Sequence, residues 1–142
     1  MTTEKKLVHV CHIPVRWGDM DALGHVNNTQ YFRYFEQARI EWFDGMGIRF
    51  EVGDQGPILA KAGCNFKKPI VYPNRLEVRT YAGPPGHSSL PLYHELRQAD
   101  APGTLYADGE SVLVWVDYRL GKSLPLPDSI RAVVASTPAQ AG

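Results

Sequence analysis

What this chain has little of narrows its class before any motif is read. Only 2 cysteines occur in 142 residues, too few for the disulfide framework of a small secreted domain. Cys11 and Cys64 read instead as small buried hydrophobes in a reducing compartment. Charge of one sign is equally scarce, since 15 Lys and Arg offset 15 Asp and Glu. No basic field draws nucleic acid, and no acidic excess keeps the chain unfolded. No apolar run approaches the roughly 20 residues that cross a bilayer, and the opening MTTEKKLVHV lacks a signal-peptide core. These absences predict a cytoplasmic protein with neither nucleic acid nor membrane among its partners. Repeats and low-complexity segments are missing too, apart from a frayed STPAQAG end from about residue 136. The expectation is one domain over residues 1–142, long enough for a real core and short for two.

What is present is concentrated in residues 17–43, WGDMDALGHVNNTQYFRYFEQARIEWF. Two acids and a histidine stand in a turn that runs into an aromatic helix. Asn27, Asn28 and Thr29 are capping residues where the apolar pattern starts, and Gly45 and Gly47 are stops after it ends. Tyr31, Tyr34, Phe35, Ala38 and Trp42 recur at three- and four-residue spacing, with Arg33, Glu36, Gln37, Arg39 and Glu41 on the other side. Phe32, Ile40 and Phe43 widen the apolar stripe, which predicts a helix covered on most sides. The aromatics read first as core.

The acids carry the chemistry. Asp19 reads as a turn and capping residue. Asp21 stands a few residues before the helix, in a turn tightened by Gly24, where a carboxylate can face a group held by the unpaired N–H donors of the helix start.

The rest of the chain reads as β-structure. A first strand spans 6–16, with Pro14 marking an edge or a bulge. His9, Cys11 and His12 raise the question of a metal. Strand alternation puts His9 and Cys11 on one face and His12 on the other, so no metal is expected there. After a glycine-rich connection over 44–56, four consecutive antiparallel strands are predicted at 58–68, 76–82, 88–98 and 105–118. The last is apolar on both faces, with Val112, Val114 and Val116 opposite Leu113 and Trp115, and belongs inside the sheet. A short helix over 127–135 opens at Asp128. One helix cannot cover both faces of such a sheet, so a twofold dimer is predicted.

The run RWGDMDALGHVNNTQYFRYFEQAR, followed by these strands, resembles the hotdog-fold acyl-CoA thioesterases, in their 4-hydroxybenzoyl-CoA thioesterase-like branch. Later echoes are Asn65-Phe66, Tyr72-Pro73-Asn74, Ser88-Ser89 and Val114-Trp115-Val116-Asp117. The resemblance implies an α+β hotdog fold, a five-stranded antiparallel sheet wrapped around one long central helix. It implies hydrolysis of an acyl-CoA thioester, with the catalytic carboxylate on Asp21 and an oxyanion-binding backbone N–H at or next to Asn28. It implies a site completed at a homodimer interface, in a dimer or a tetramer of two dimers. Ser88 or Ser89 is then contributed from across that interface, and no metal or cofactor takes part.

Several roles stay open at this level. His25 either bonds the carboxylate, touches substrate, or is a turn residue. Asn27 caps the helix and can also orient water or substrate, and Tyr31 either lines the acyl pocket or is buried in the core. Asp21 can activate water as a general base or attack the carbonyl itself. The approach 84–87 lacks the Lys or Arg that some members place against the CoA phosphates. Two other classes compete. One is a non-hydrolytic acyl-thioester-binding hotdog protein or a hotdog dehydratase subunit. The other is a metal hydrolase using Asp19, Asp21 and His25, which lacks the strand-end context that such motifs need.

Overall fold

A computed structural model describes residues 4–48 and 53–135. The expected end from about 136 lies outside these residues, as does part of the 44–56 connection. Strand β1 (Lys6–Pro14) leads through a 3₁₀ turn (Trp17–Asp19) to helix α1 (Asn28–Gly45). Strands β2 (Gln55–Phe66), β3 (Arg75–Ala82), β4 (Ser89–Gln98) and β5 (Ala101–Asp117) follow, then a two-residue strand β6 (Lys122–Ser123) and helix α2 (Asp128–Ala135).

All pairings are antiparallel, in the order β1-β3-β4-β5-β2, with β6 on β5. The α+β class, the long central helix and the short helix opening at Asp128 are as expected, but the sheet has six strands instead of five, the sixth being the two-residue β6, too short to show a periodic pattern. The four later strands are not neighbours in sequence order. β2 pairs with β5, so residues 67–74 must carry the chain from one side of the sheet to β3 near the other. That crossing passes the entrance to α1, where Val26 N–H donates to Ile70 O at 2.8 Å. Gly56-Pro57 lies inside β2 rather than before it, tolerated because an edge strand can spare a ladder donor. β5 is internal, as its two apolar faces require. Its turn from β4 is only Ala99-Asp100, and bulges beside Arg97 absorb the tighter geometry.

α1 lays Tyr31, Tyr34, Phe35, Ala38, Trp42 and Phe43 on one face of the sheet. Its first half packs with Cys11, Leu76, Val78, Leu96 and Ala107. Its second half shares a core with Leu90, Leu92, Leu113 and Trp115 and with Ile130 and Val134 of α2. The expected stripe is therefore buried, while Phe32 and Ile40 stay exposed at 38% and 43%. Arg39, placed on the polar side by spacing alone, is buried as well, because its guanidinium donates to Ser111 Oγ at 3.0 Å. No described helix is long and apolar enough to cross a membrane.

Candidate active site

The turn before α1 separates its two acids. Asp19 is buried, and its Oδ2 accepts from the Arg16 N–H at 3.0 Å and the Tyr34 hydroxyl at 2.8 Å. Its Oδ1 stands 3.1 Å from the Arg16 guanidinium. Burial pushes this carboxyl up, but the Arg16 N–H, the Tyr34 hydroxyl and the Arg16 charge outweigh it and hold the group below the usual carboxylate range. The same bond, after burial, raises the Tyr34 phenol. The Asp19 carbonyl also accepts from the Asn27 N–H at 2.9 Å. Asp19 therefore pins both ends of the turn to the helix.

Asp21 points elsewhere. Its carbonyl accepts from Gly24 N–H at 3.0 Å and its own N–H donates to His25 O at 2.9 Å, a tight turn that needs the left-handed φ of 83° at Gly24. Met20 and Val26 pair across the base of this turn. The carboxylate is half-buried and has no cationic partner among the described residues. Oδ1 accepts from Leu23 N–H at 2.9 Å and Oδ2 from Asn27 Nδ2 at 3.2 Å. Asn27 is the N-cap of α1, and its Oδ1 accepts from the Thr29 N–H at 2.9 Å and the Thr29 hydroxyl at 2.6 Å. One side chain thus ties the Asp21 carboxylate to the helix start, a link that capping arguments alone do not reveal.

The cap also sorts the donors of the first turn. Thr29 N–H is taken by Asn27 Oδ1 and Gln30 N–H by Asn27 O at 2.9 Å. Asn28 N–H is left without an acceptor among the described residues. Asn28, His25 and Tyr31 line a shallow cavity of about 310 Å³ with Phe66 and Lys68. Tyr31 is buried, edge-on to Phe66 with ring centroids 4.8 Å apart, so it forms the cavity floor as well as core. His25 is exposed, and only its backbone engages the turn.

Ser88 and Ser89 are not brought to this place within one chain. Ser89 opens β4 and Ser88 directly precedes it, and neither lines the cavity beside the helix start. Ser88 O accepts from Trp115 N–H and Ser89 O from Gly86 N–H. A larger cavity of about 630 Å³ lies over the middle of the sheet. Its acids Glu95, Asp108 and Glu110 are paired with Arg97, Lys67 and Lys61, and no residue of the Asp21 turn or the helix start lines it. The smaller cavity is lined by His25 and Asn28 beside that turn and is the better candidate. Asp19, Asp21 and His25 do not converge as a set of metal ligands among the described residues.

Residues 15–134 match the thioesterase-like superfamily. The PA2801 protein of Pseudomonas aeruginosa, provisionally assigned as a thioesterase, is 47% identical over 91% of this chain and 99% of its own, with a TM-score of 0.89. XC229 of Xanthomonas campestris, provisionally assigned as an acyl-CoA thioesterase, is 38% identical over 79% of this chain and 95% of its own, with a TM-score of 0.73. The gentisyl-coenzyme A thioesterase BH1999 is 26% identical over 88% of this chain and 98% of its own, with a TM-score of 0.78. Most of the chain, including the whole Asp21 turn, helix α1 and strands β2 to β6, thus falls within one family match, and the protein belongs to the thioesterase-like superfamily of hotdog-fold thioester hydrolases.

Proposed function

We propose that this protein hydrolyses an acyl-CoA thioester to the free acid and coenzyme A, with Asp21 as the reacting carboxylate. The observation that carries the reading is the link from Asp21 through Asn27 to the helix cap. A half-buried carboxylate, oriented by two N–H donors and without a cationic partner among the described residues, is tied through the Asn27 side chain to the helix start, where the Asn28 N–H has no acceptor among the described residues. The naming of XC229 and BH1999 for coenzyme A thioesters supports the substrate class.

The chemistry needs little more. A thioester carbonyl is electrophilic and its thiolate leaves readily. With the carbonyl oxygen on the Asn28 N–H, negative charge that develops during attack meets a donor and the positive end of α1. Asp21 then takes a proton from water as the water attacks, or attacks the carbonyl itself to give an anhydride that water opens. His25 and Tyr31, from the cavity wall and floor, contact the acyl group, and the reaction uses no metal or cofactor.

The cavity is open beside Phe66, at the end of β2. β2 is bonded on one side only among the described residues, and Ile58, Leu59 and Phe66 are 46%, 49% and 49% exposed. In our reading a second copy pairs here about a twofold axis and walls the cavity, bringing its own strand-β4 serines to the substrate. Thiol release from short, medium, long and aromatic acyl-CoA esters tests the function. Turnover of at least one class is expected. Tight binding without thiol release from any would favour the acyl-thioester-binding or dehydratase reading instead.

A further inference from the structure

Outside the Asp21 turn, one trio of metal-ligating side chains converges among the described residues. His9 and Cys11 stand two apart on β1 and share the face that meets α1, while His12 on the other face turns to Glu77 at 3.3 Å. Alternation excludes His12 as a third ligand. The third comes from the helix, where Glu41 sits one turn beyond Ala38 and two beyond Tyr34, on the side facing β1. His9 Nε2 is shielded from solvent and has no hydrogen bond among the described residues. Glu41 Oε1, at 3.5 Å, is too far for a good one. Glu41 Oε2 is already held by Gln37 Nε2 at 3.1 Å, the kind of outer contact that orients a ligating carboxylate.

The candidate ligand atoms of His9, Cys11 and Glu41 all lie within 4.8 Å of one another. Bonds of about 2.0–2.3 Å in a tetrahedral zinc site place ligand atoms roughly 3.3–3.8 Å apart. Closing the trio onto an ion thus needs side-chain shifts of about 1 Å and no change of fold. We propose that His9, Cys11 and Glu41 bind one divalent zinc-like ion, with water in the fourth position. An imidazole, a thiolate and one carboxylate suit such an ion and not magnesium or calcium, which take oxygen ligands. Glu41 lies thirteen residues along α1 from Asn28, about 20 Å by helix rise. The ion is therefore a clamp between edge strand β1 and the central helix, separate from hydrolysis. On binding, the Cys11 thiol gives its proton to solvent, so affinity rises with pH.

Metal-stripped, full-length protein titrated with cobalt(II) as a spectroscopic probe, and with zinc by equilibrium dialysis, tests the site. One ion per chain is expected, with a thiolate-to-cobalt charge-transfer band in the near ultraviolet. Cys11→Ser should abolish that band, and His9→Asn or Glu41→Gln should weaken binding at least about tenfold. His12→Asn should leave both unchanged. Cys64→Ser should keep the band, which assigns it to the one remaining thiol even if Cys11→Ser does not fold. Zinc should also raise the melting temperature of the wild type. Absence of saturable binding, a band lost in Cys64→Ser, or binding that survives Cys11→Ser overturns the proposal.

Discussion

His94 lies inside the interface between sheet and helix, 1% exposed, its ring stacked on Phe35 with centroids 4.8 Å apart. Its Nε2 is 3.1 Å from Ser111 Oγ and its Nδ1 is 3.3 Å from Thr80 Oγ1. Arg39 can only donate. The arrangement that satisfies every group has Ser111 accept from Arg39 and donate to Nε2, which leaves a neutral imidazole with its proton toward Thr80. Burial, helped by the Arg39 charge, pushes this imidazole down to about 3. The unfolded chain binds that proton near pH 6.5, so the contribution to stability is complete above about 6.5 and is lost as pH falls toward 3, by roughly 1.4 kcal/mol per unit. Denaturant melts should lose roughly 2–3 kcal/mol between pH 6.5 and 4.5, and a His94→Gln chain should lose less over the same range. An NMR titration placing the native His94 ring near 6.5 would contradict this. The sequence offered little sign of the network, because His94 and Arg39 look like ordinary polar positions until their partners are brought together from distant segments. The Asp19–Tyr34 bond was hidden for the same reason. The turn role of Asp19 was legible in its position, and so were the asparagine caps. The chemical role of Asp21 stands as our proposal.

Helix α1 was legible because its information is local: an apolar stripe, the Asn27 cap and the glycines at and just past its end, Gly45 and Gly47, agree within one contiguous stretch. Strand existence was legible for similar reasons, but partner choice was not. Nothing in 58–68 says that it pairs with β5 instead of β3, and β6 has too few residues for any periodic signal. Gly109 is a clue of an intermediate kind, a glycine inside the longest strand, which often marks a close approach. A Cβ there would stand 2.6 Å from Phe35 Cε2 and 2.8 Å from Gly63 O. The Phe35 ring thus packs directly against β5 at Gly109, with no room for a side chain. Gly109→Ala should cost about 1–3 kcal/mol by overpacking, read as a lower denaturation midpoint. A paired Phe35→Leu change should recover part of that loss. An unchanged midpoint would show that α1 moves freely off the sheet at this point.

At the scale of the whole molecule, two helices cover one face of the sheet, and β2 leaves a twelve-residue edge with exposed apolar side chains. Such an edge invites pairing with another chain. Self-association was expected from the sequence by a count of surfaces, one helix against a two-faced sheet, and the β2 edge, unpaired among the described residues, is where our proposal places it. Sedimentation equilibrium at micromolar concentration should give a mass of at least twice 15.9 kDa. A charge introduced by Leu59→Lys should shift the equilibrium toward the single chain. A wild-type mass of one chain would contradict a shared active site.

The central claim is that Asp21, and not Asp19, carries the chemistry, and thiol release by Asp21→Asn beside Asp19→Asn measures it directly. Asparagine keeps the size of either side chain and removes its charge. Asp21→Asn should melt near the wild-type temperature and lose roughly a hundredfold to ten-thousandfold in turnover. Asp19→Asn weakens the buried contacts to Arg16 and Tyr34, so it should lose about 1–3 kcal/mol of stability and keep most of its turnover when folded. An Asp21→Asn enzyme with near-normal thiol release, or a well-folded and inactive Asp19→Asn enzyme, would contradict the assignment.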